Sequence, residues 1–201
     1  MRLYRAAFST NCERVALALA LKGLAAEAVW ISYGDRSAVE QVSGQGLVPV
    51  LDYEGQILVE SMDIVRFLDE RHPDPPLYPR DPGEVLAFVE WFNAVWKGPP
   101  NQIEAELSKP EPDHALVAEL GQRMIASLDR FEEMLGGGDY LFGDSLTAAD
   151  LCAFPFLKFA TLHDPADDEP FHLILRDRQR DGRHRPRLAA WIDSVNALPR
   201  A

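Results

Sequence analysis

Cysteine is nearly absent. Cys12 and Cys152 are the only two in 201 residues, too few and too far apart for a disulfide framework, and no Cys/His pair has zinc-ligand spacing. That usage suits a reducing, cytoplasmic compartment. Positive charge is also short: 32 acids against 20 bases leave a formal net charge of −12. This excludes the broad basic face that a nucleic acid or an anionic membrane requires. No apolar run approaches the ~20 residues needed to cross a bilayer. Residues 15–21, behind Arg2 and Arg5 and ahead of Ala26-Glu27-Ala28, imitate a secretory signal. Glu13 and Arg14 abut that short run and Lys22 ends it, so a strand followed by an amphipathic helix reads better.

What is present is enough for a core. Hydrophobic residues make up 47% of the chain, and a chain of this size buries roughly 70% of its extended surface. Length over ~150 gives between one and two domains. Leu3-Tyr4-Arg5-Ala6 reads as a strand. After the polar turn Ser9-Thr10-Asn11, apolar Cys12, Val15, Ala16 and Leu19 repeat at helical spacing, and Gly23 supplies a left-handed stop. Residues 28–32 are a second strand and 34–43 a short helix or loop. Residues 49–52 and 56–59 form a hairpin. Ser61 then caps a helix with Ile64, Val65 and Leu68 inward, which ends at His72-Pro73. The order is β-α-β-α-β-β-α.

The proline-rich stretch 73–79 marks a join. The expected division is an α/β domain over 1–75, a linker over 76–81 and an all-helical domain over 82–201. Asp81-Pro82-Gly83-Glu84 has the form of a capping box, and so does Thr147-Ala148-Ala149-Asp150, flanked by a Leu146/Leu151 staple. A long helix is expected from Asp113 to Leu135, striped by Leu116, Leu120, Met124, Leu128 and Phe131 and ended by three glycines. The last helix follows Pro186 and carries Leu188, Trp191, Ile192 and Val195 inward.

Three loop motifs carry chemistry. Ser9-Thr10-Asn11-Cys12 lies at a helix N-terminus, where unpaired N–H groups and the helix dipole favour an anion and lower a thiol pKa. A hydroxyl such as that of Ser9 can add a charge-assisted hydrogen bond to sulfur. The plain alternative is a capping Ser9 or Asn11 with Cys12 packed as a small apolar residue. Val48-Pro49 places proline at a strand start; a cis bond there would free the main chain of Val48 for an extended ligand. Glu60-Ser61 joins a strand to a helix N-terminus. Ser61 can hold a carboxylate and Glu60 an ammonium, gripping the two ends of an α-amino acid, or the pair is simply a cap beside an exposed acid.

Taken together and in this order, the motifs resemble the glutathione transferase family over nearly the whole chain, from Leu3 to the helix containing Trp191. Val48-Pro49, Glu60-Ser61 and the Leu146-to-Asp150 cap are the more specific parts. The resemblance implies a thioredoxin-like first domain that holds glutathione and an all-α second domain that shapes an electrophile pocket. Val48 would pair with the cysteinyl part beside a cis Pro49, and Glu60 and Ser61 would bind the γ-glutamyl end. Ser9 would activate the thiol, with Thr10 or Cys12 as fallback. Thr147 and Asp150 would be structural. The implied chemistry is attack by glutathione thiolate on a small electrophile, or its isomerisation, in a cytoplasmic homodimer with a role such as detoxification and no metal. Phe8, Asn11 and Trp96 are the residues expected at the electrophile.

Other readings stay open: a thiol–disulfide enzyme using Cys12 or a different small thiol, and a non-catalytic binding protein on the same fold. Leu47 stands where many relatives carry a polar residue. Lys97-Gly98-Pro99-Pro100 must kink or end a helix near the expected pocket. Residues 163–187 hold Asp164, Asp167, Asp168 and Glu169 and six arginines, flanked by His163 and His172. A solvated segment pairing its own charges is expected there rather than a metal site.

Overall fold

The computed structural model describes residues 1–180 and 184–201. The chain divides into two compact units, Met1–Asp81 together with Leu198–Ala201, and Pro82–Ala197.

The first unit is built on a four-stranded sheet in the order β2-β1-β3-β4. Strand β1 (Arg2–Arg5) pairs in parallel with β2 (Glu27–Trp30), and antiparallel with β3 (Val50–Tyr53), which pairs in turn with β4 (Gln56–Leu58). Leu3 and Tyr4 are both buried. Successive strand side chains point to opposite faces, so the sheet is covered on both. On one face Tyr4 packs with Ile31, Val50 and Val39, the last from α2 (Ser37–Ser43). Helices α1 (Thr10–Leu21) and α3 (Ser61–Arg71) pack against each other.

Helix α1 departs from the amphipathic stripe expected of it: Thr10, Arg14, Leu17 and Ala18 are buried along with the striped positions. Gly23 does provide the stop, at φ +65°. Two polar devices fasten this unit. Lys22, at the end of α1, meets Asp69 Oδ1 at 2.5 Å and donates to the carbonyl of Pro75. Asp69 also accepts the N–H groups of Leu77 (2.8 Å) and Tyr78 (3.3 Å), so one buried ion pair ties the proline-rich stretch to α3. At the other end of the chain, Arg200 pairs with Glu13 at 2.9 Å and Ala201 N–H donates to the carbonyl of Ala16. The last four residues thus fold onto the first unit instead of closing the helical one.

The second unit contains α4 (Gly83–Trp91), a wide turn of π-helix at Phe92–Trp96, α5 (Gly98–Leu107), α6 (His114–Met134), α7 (Ala148–Leu157), α8 (Pro170–Gln179) and α9 (Pro186–Asn196). The break expected at Gly98-Pro99-Pro100 is there, and it starts α5. Proline at the first helical positions forfeits no intrahelical bond. The capping box expected at 81–84 does not form. Pro82 occupies the cap position, and it has no side-chain acceptor. Asp113 instead caps α6, accepting from Ala115 and Leu116 N–H at 3.0 Å.

The capping box at 147–150 does form, and α7 behind it is buried along its whole length. The segment expected to be solvated is the main correction. Residues 170–179 are helical, with His172, Ile174, Leu175 and Gln179 buried. Pro170 opens that helix, and Phe171, Ile174 and Leu175 sit at i, i+3 and i+4, a short apolar stripe that the flanking charges obscure. Part of the segment does pair its own charges: His172 Nδ1 lies 2.9 Å from both oxygens of Asp167, and Arg176 meets Asp177 at 2.9 Å. His163 faces Arg176 instead, at 3.2 Å. Arg183 lies outside the described residues. Among those residues no helix is long and apolar enough to cross a membrane, and no group of three or more His, Cys, Asp or Glu is placed to hold a metal.

Candidate active site

The three loop motifs all lie in the sheet unit. Phe8 turns the chain out of β1 with φ 59°, a left-handed conformation uncommon for a non-glycine residue. Ser9 follows as the N-cap of α1, its Oγ accepting the backbone N–H of Cys12 at 3.3 Å. A hydroxyl has one proton and two lone pairs. With one lone pair occupied from the helix side, the Ser9 proton can go to the neighbouring Cys12 sulfur or to an external anion. Ser9 is half-buried, whereas Thr10 and Cys12 are buried.

The second motif repeats this arrangement. Glu60 turns the chain out of the β4 edge with φ 64°, and Ser61 is the first residue of α3. Both serines thus enter a helix directly after a left-handed, non-glycine residue. Backbone strain of this kind concentrates at ligand clamps. The Glu60 side chain is exposed and Ser61 is 6% exposed. The third motif precedes β3: the Val48–Pro49 bond is cis. The ladder of β3 begins at Val50, so the main chain of Val48 lies outside it.

A residue not singled out in the sequence joins two of these loops. Arg14, only 1% exposed, uses one terminal nitrogen to donate to Asn11 Oδ1 at 3.2 Å and to Ser61 Oγ at 3.1 Å. Its position inside an apolar helix was the available signal, since a charged residue there needs a reason. Arg5 and Arg36 add positive potential at Cys12. Even so, burial pushes the Cys12 thiol up, and the hydrogen bond with Ser9 offsets that only in part. A protonated, enclosed thiol is a poor nucleophile.

The residues expected at the electrophile fall in different places. Phe8 is exposed beside Ser9, and Asn11 is turned onto Arg14. Trp96 belongs to the helical unit, where it is 4% exposed, stacks on Phe92 at 4.5 Å and donates its indole N–H to Ser127. It borders a cavity of about 420 Å³ with Trp91, Gln102, Arg123 and Met124. Leu47, at 69% exposure, is among the most exposed large apolar residues described.

Thr147 and Asp150 form a closed cluster within the helical unit. Asp150 Oδ1 accepts from Leu141 N–H and the Trp191 indole at 3.0 and 2.9 Å. Its Oδ2 accepts from the N–H and hydroxyl of Thr147 at 2.8 and 3.1 Å. Burial pushes this carboxyl up against those four donors.

Comparison with known proteins matches both units. The N-terminal domain of glutathione S-transferase matches residues 3–76, and the C-terminal domain matches residues 115–194. The chain is 28% identical to "Glutathione S-transferase Z1" of Arabidopsis thaliana over 99% of this chain and 88% of that protein. It is 38% identical to a "Probable maleylacetoacetate isomerase" of Caenorhabditis elegans over 73% and 72% of the two chains. A solved holo structure of maleylpyruvate isomerase, a bacterial protein of the zeta class, superposes with a TM-score of 0.75 at 27% identity, covering 98% and 93% of the chains.

Proposed function

The chain belongs to the glutathione S-transferase family, and from that premise we propose a glutathione-dependent transferase or isomerase acting on a small electrophile, with Ser9 as the residue that activates the thiol. The observation that carries the assignment to Ser9 is its hydroxyl. It caps α1 through a lone pair, and its proton, which has the Cys12 sulfur within reach, can turn to a bound thiolate at a helix end that itself favours an anion. Moving a thiol pKa down by two units takes ~2.7 kcal/mol. A hydrogen bond to a charged group contributes ~1.5–3 kcal/mol, and a helix N-terminus adds some tenths or more, so the two suffice.

The site suits the tripeptide. In this reading Glu60 offers a carboxylate to the γ-glutamyl ammonium, Ser61 and the first turn of α3 offer donors to its carboxylate, and the main chain of Val48, which lies outside the β3 ladder, pairs with the cysteinyl part. Bound glutathione supplies a thiolate that adds to an electrophilic carbon and either remains there or, on a conjugated cis double bond, leaves again after rotation to the trans isomer. The names of the C. elegans relative and of the zeta-class structure favour the second outcome, on a small maleyl-type keto acid. We read the protein as a cytoplasmic homodimer by the same kinship, which light scattering of the purified protein checks.

Calorimetric titration of glutathione into the wild type and into Glu60→Ala is the test, joined to an isomerisation assay on a maleyl keto acid with and without glutathione. The reading expects binding that weakens at least about tenfold in the variant, the scale of one charge-assisted contact, and conversion that requires glutathione. Absence of glutathione binding to the wild type overturns it.

A further inference from the structure

We propose that Arg14 is a positioning residue that makes Ser61 a dedicated hydrogen-bond donor for a ligand carboxylate and couples that contact to the thiol-activating turn. The inference rests on the glutathione reading and concerns a residue for which that reading has no use. A guanidinium can only donate. Because Arg14 Nη1 fills a lone pair of Ser61 Oγ at 3.1 Å, the Ser61 proton cannot point toward Arg14 and turns to an acceptor elsewhere. Ser61 is the first residue of α3, so the groups around it at the helix end are N–H donors with no partner inside the helix. The Ser61 hydroxyl and the first N–H groups of α3 therefore act as donors, with a buried cation directly behind Ser61 and the exposed carboxylates of Glu60 and Asp63 to the side. A carboxylate satisfies such a site; an amide, a hydroxyl or an ammonium does so poorly.

The second hydrogen of the same nitrogen goes to Asn11 Oδ1 at 3.2 Å. Asn11 sits between Ser9 and Cys12, the two ends of the α1 cap. One –NH₂ group thus spans the turn that would activate sulfur and the serine that would hold the far end of the tripeptide. Filling the carboxylate site draws on Ser61, and through Arg14 that pull reaches Asn11. Recognition of the γ-glutamyl carboxylate and preparation of the thiol are linked events in this geometry.

The test compares glutathione with γ-aminobutyryl-cysteinyl-glycine, which keeps the ammonium and lacks only the γ-glutamyl α-carboxylate, and with the α-amide of glutathione, which keeps the ammonium and neutralises the carboxylate. Affinities are measured for the wild type, Arg14→Met, Arg14→Lys and Asn11→Ala, together with the pKa of the bound thiol by thiolate absorbance. The wild type is expected to prefer glutathione over the α-amide by about 10- to 100-fold, the range for hydrogen bonds to a charged group. In Arg14→Met that preference should fall about tenfold while affinity for the α-amide hardly changes. Arg14→Lys, which keeps the buried cation and guards against a fold that fails without it, should recover part of the preference. Asn11→Ala should keep the preference and raise the bound-thiol pKa. Equal weakening of both ligands in the Arg14 variants, or an unchanged preference, overturns the inference and leaves the glutathione reading standing. A wild type that binds none of the three thiols overturns both.

Discussion

Two fully buried charged side chains near the start of a helix, Arg14 in the sheet unit and Asp150 in the helical one, are wired in opposite ways. Asp150 in the helical unit accepts four hydrogen bonds, all from groups that have nowhere else to go: two backbone N–H groups, an indole and the hydroxyl of its own cap partner. Arg14 in the sheet unit donates to two side-chain oxygens, on Asn11 and Ser61, which still have capacity to bind something else. Burial alone does not separate a folding device from a functional one, since Asp150 and Arg14 are both 1% exposed or less. The partners do. A closed network spends every valence on the fold, whereas an open one leaves a valence facing outward for a ligand.

The comparison breaks most visibly at Asp150. Removing the carboxylate in Asp150→Ala strands the donors of Leu141, Thr147 and Trp191, and each buried unsatisfied donor costs ~1–3 kcal/mol. A loss above about 3 kcal/mol lowers the thermal midpoint by roughly 6–12 °C for a chain of this size. Any glutathione binding should survive in the molecules that remain folded. Asp150→Asn keeps one acceptor oxygen and should fall between. A variant that folds normally but loses ligand affinity would move Asp150 to the functional side.

Ser9→Ala tests the open side, with the opposite signature. Losing one positioned donor to a developing or resting anion lowers turnover by about 10²-fold or more. The stability cost is only that of an N-cap, ~1 kcal/mol. Steady-state rates against a panel of electrophiles, beside a denaturation curve, separate the two. A turnover loss that tracks the loss of folded protein would reduce Ser9 to a cap.

The two sides were not equally legible. The β-α-β-α-β-β-α order and the cap at Thr147-Asp150 rest on local signals, namely strand alternation, turn residues and a capping box, and both are in the structure. The order of the motifs, more than any one of them, carried the kinship. Arg14 was hidden because its partner is 47 positions away, and periodicity within a helix says nothing about what lies across from it. The left-handed turns at Phe8 and Glu60 were hidden for a related reason: neither residue type favours that conformation, so it is imposed by the surrounding fold. Helix α8 was missed because its apolar stripe is short and the charges around it dominate composition. The box expected at 81–84 failed on a detail of register, with proline falling on the cap itself.

The smallest expected effect sharpens the contrast between serine and cysteine within one turn of helix. Cys12 lies three residues after Ser9, yet it faces the interior, and burial holds its thiol above the ordinary range. Cys12→Ala should therefore leave glutathione-dependent turnover within about twofold and cost on the order of 1 kcal/mol, the scale of one buried small group. The pH dependence has a definite sign. At neutral pH the folded and unfolded chains both keep the proton, so the thiol contributes no slope. As pH rises through the usual thiol range the unfolded chain ionises first, and the folded state loses stability until its own raised value is passed. The denaturation midpoint of the wild type should thus fall relative to Cys12→Ala between neutral and alkaline pH. If Cys12→Ala abolishes turnover while Ser9→Ala retains it, the chemistry belongs to the cysteine after all. The open network would then end at sulfur on the protein instead of on the tripeptide.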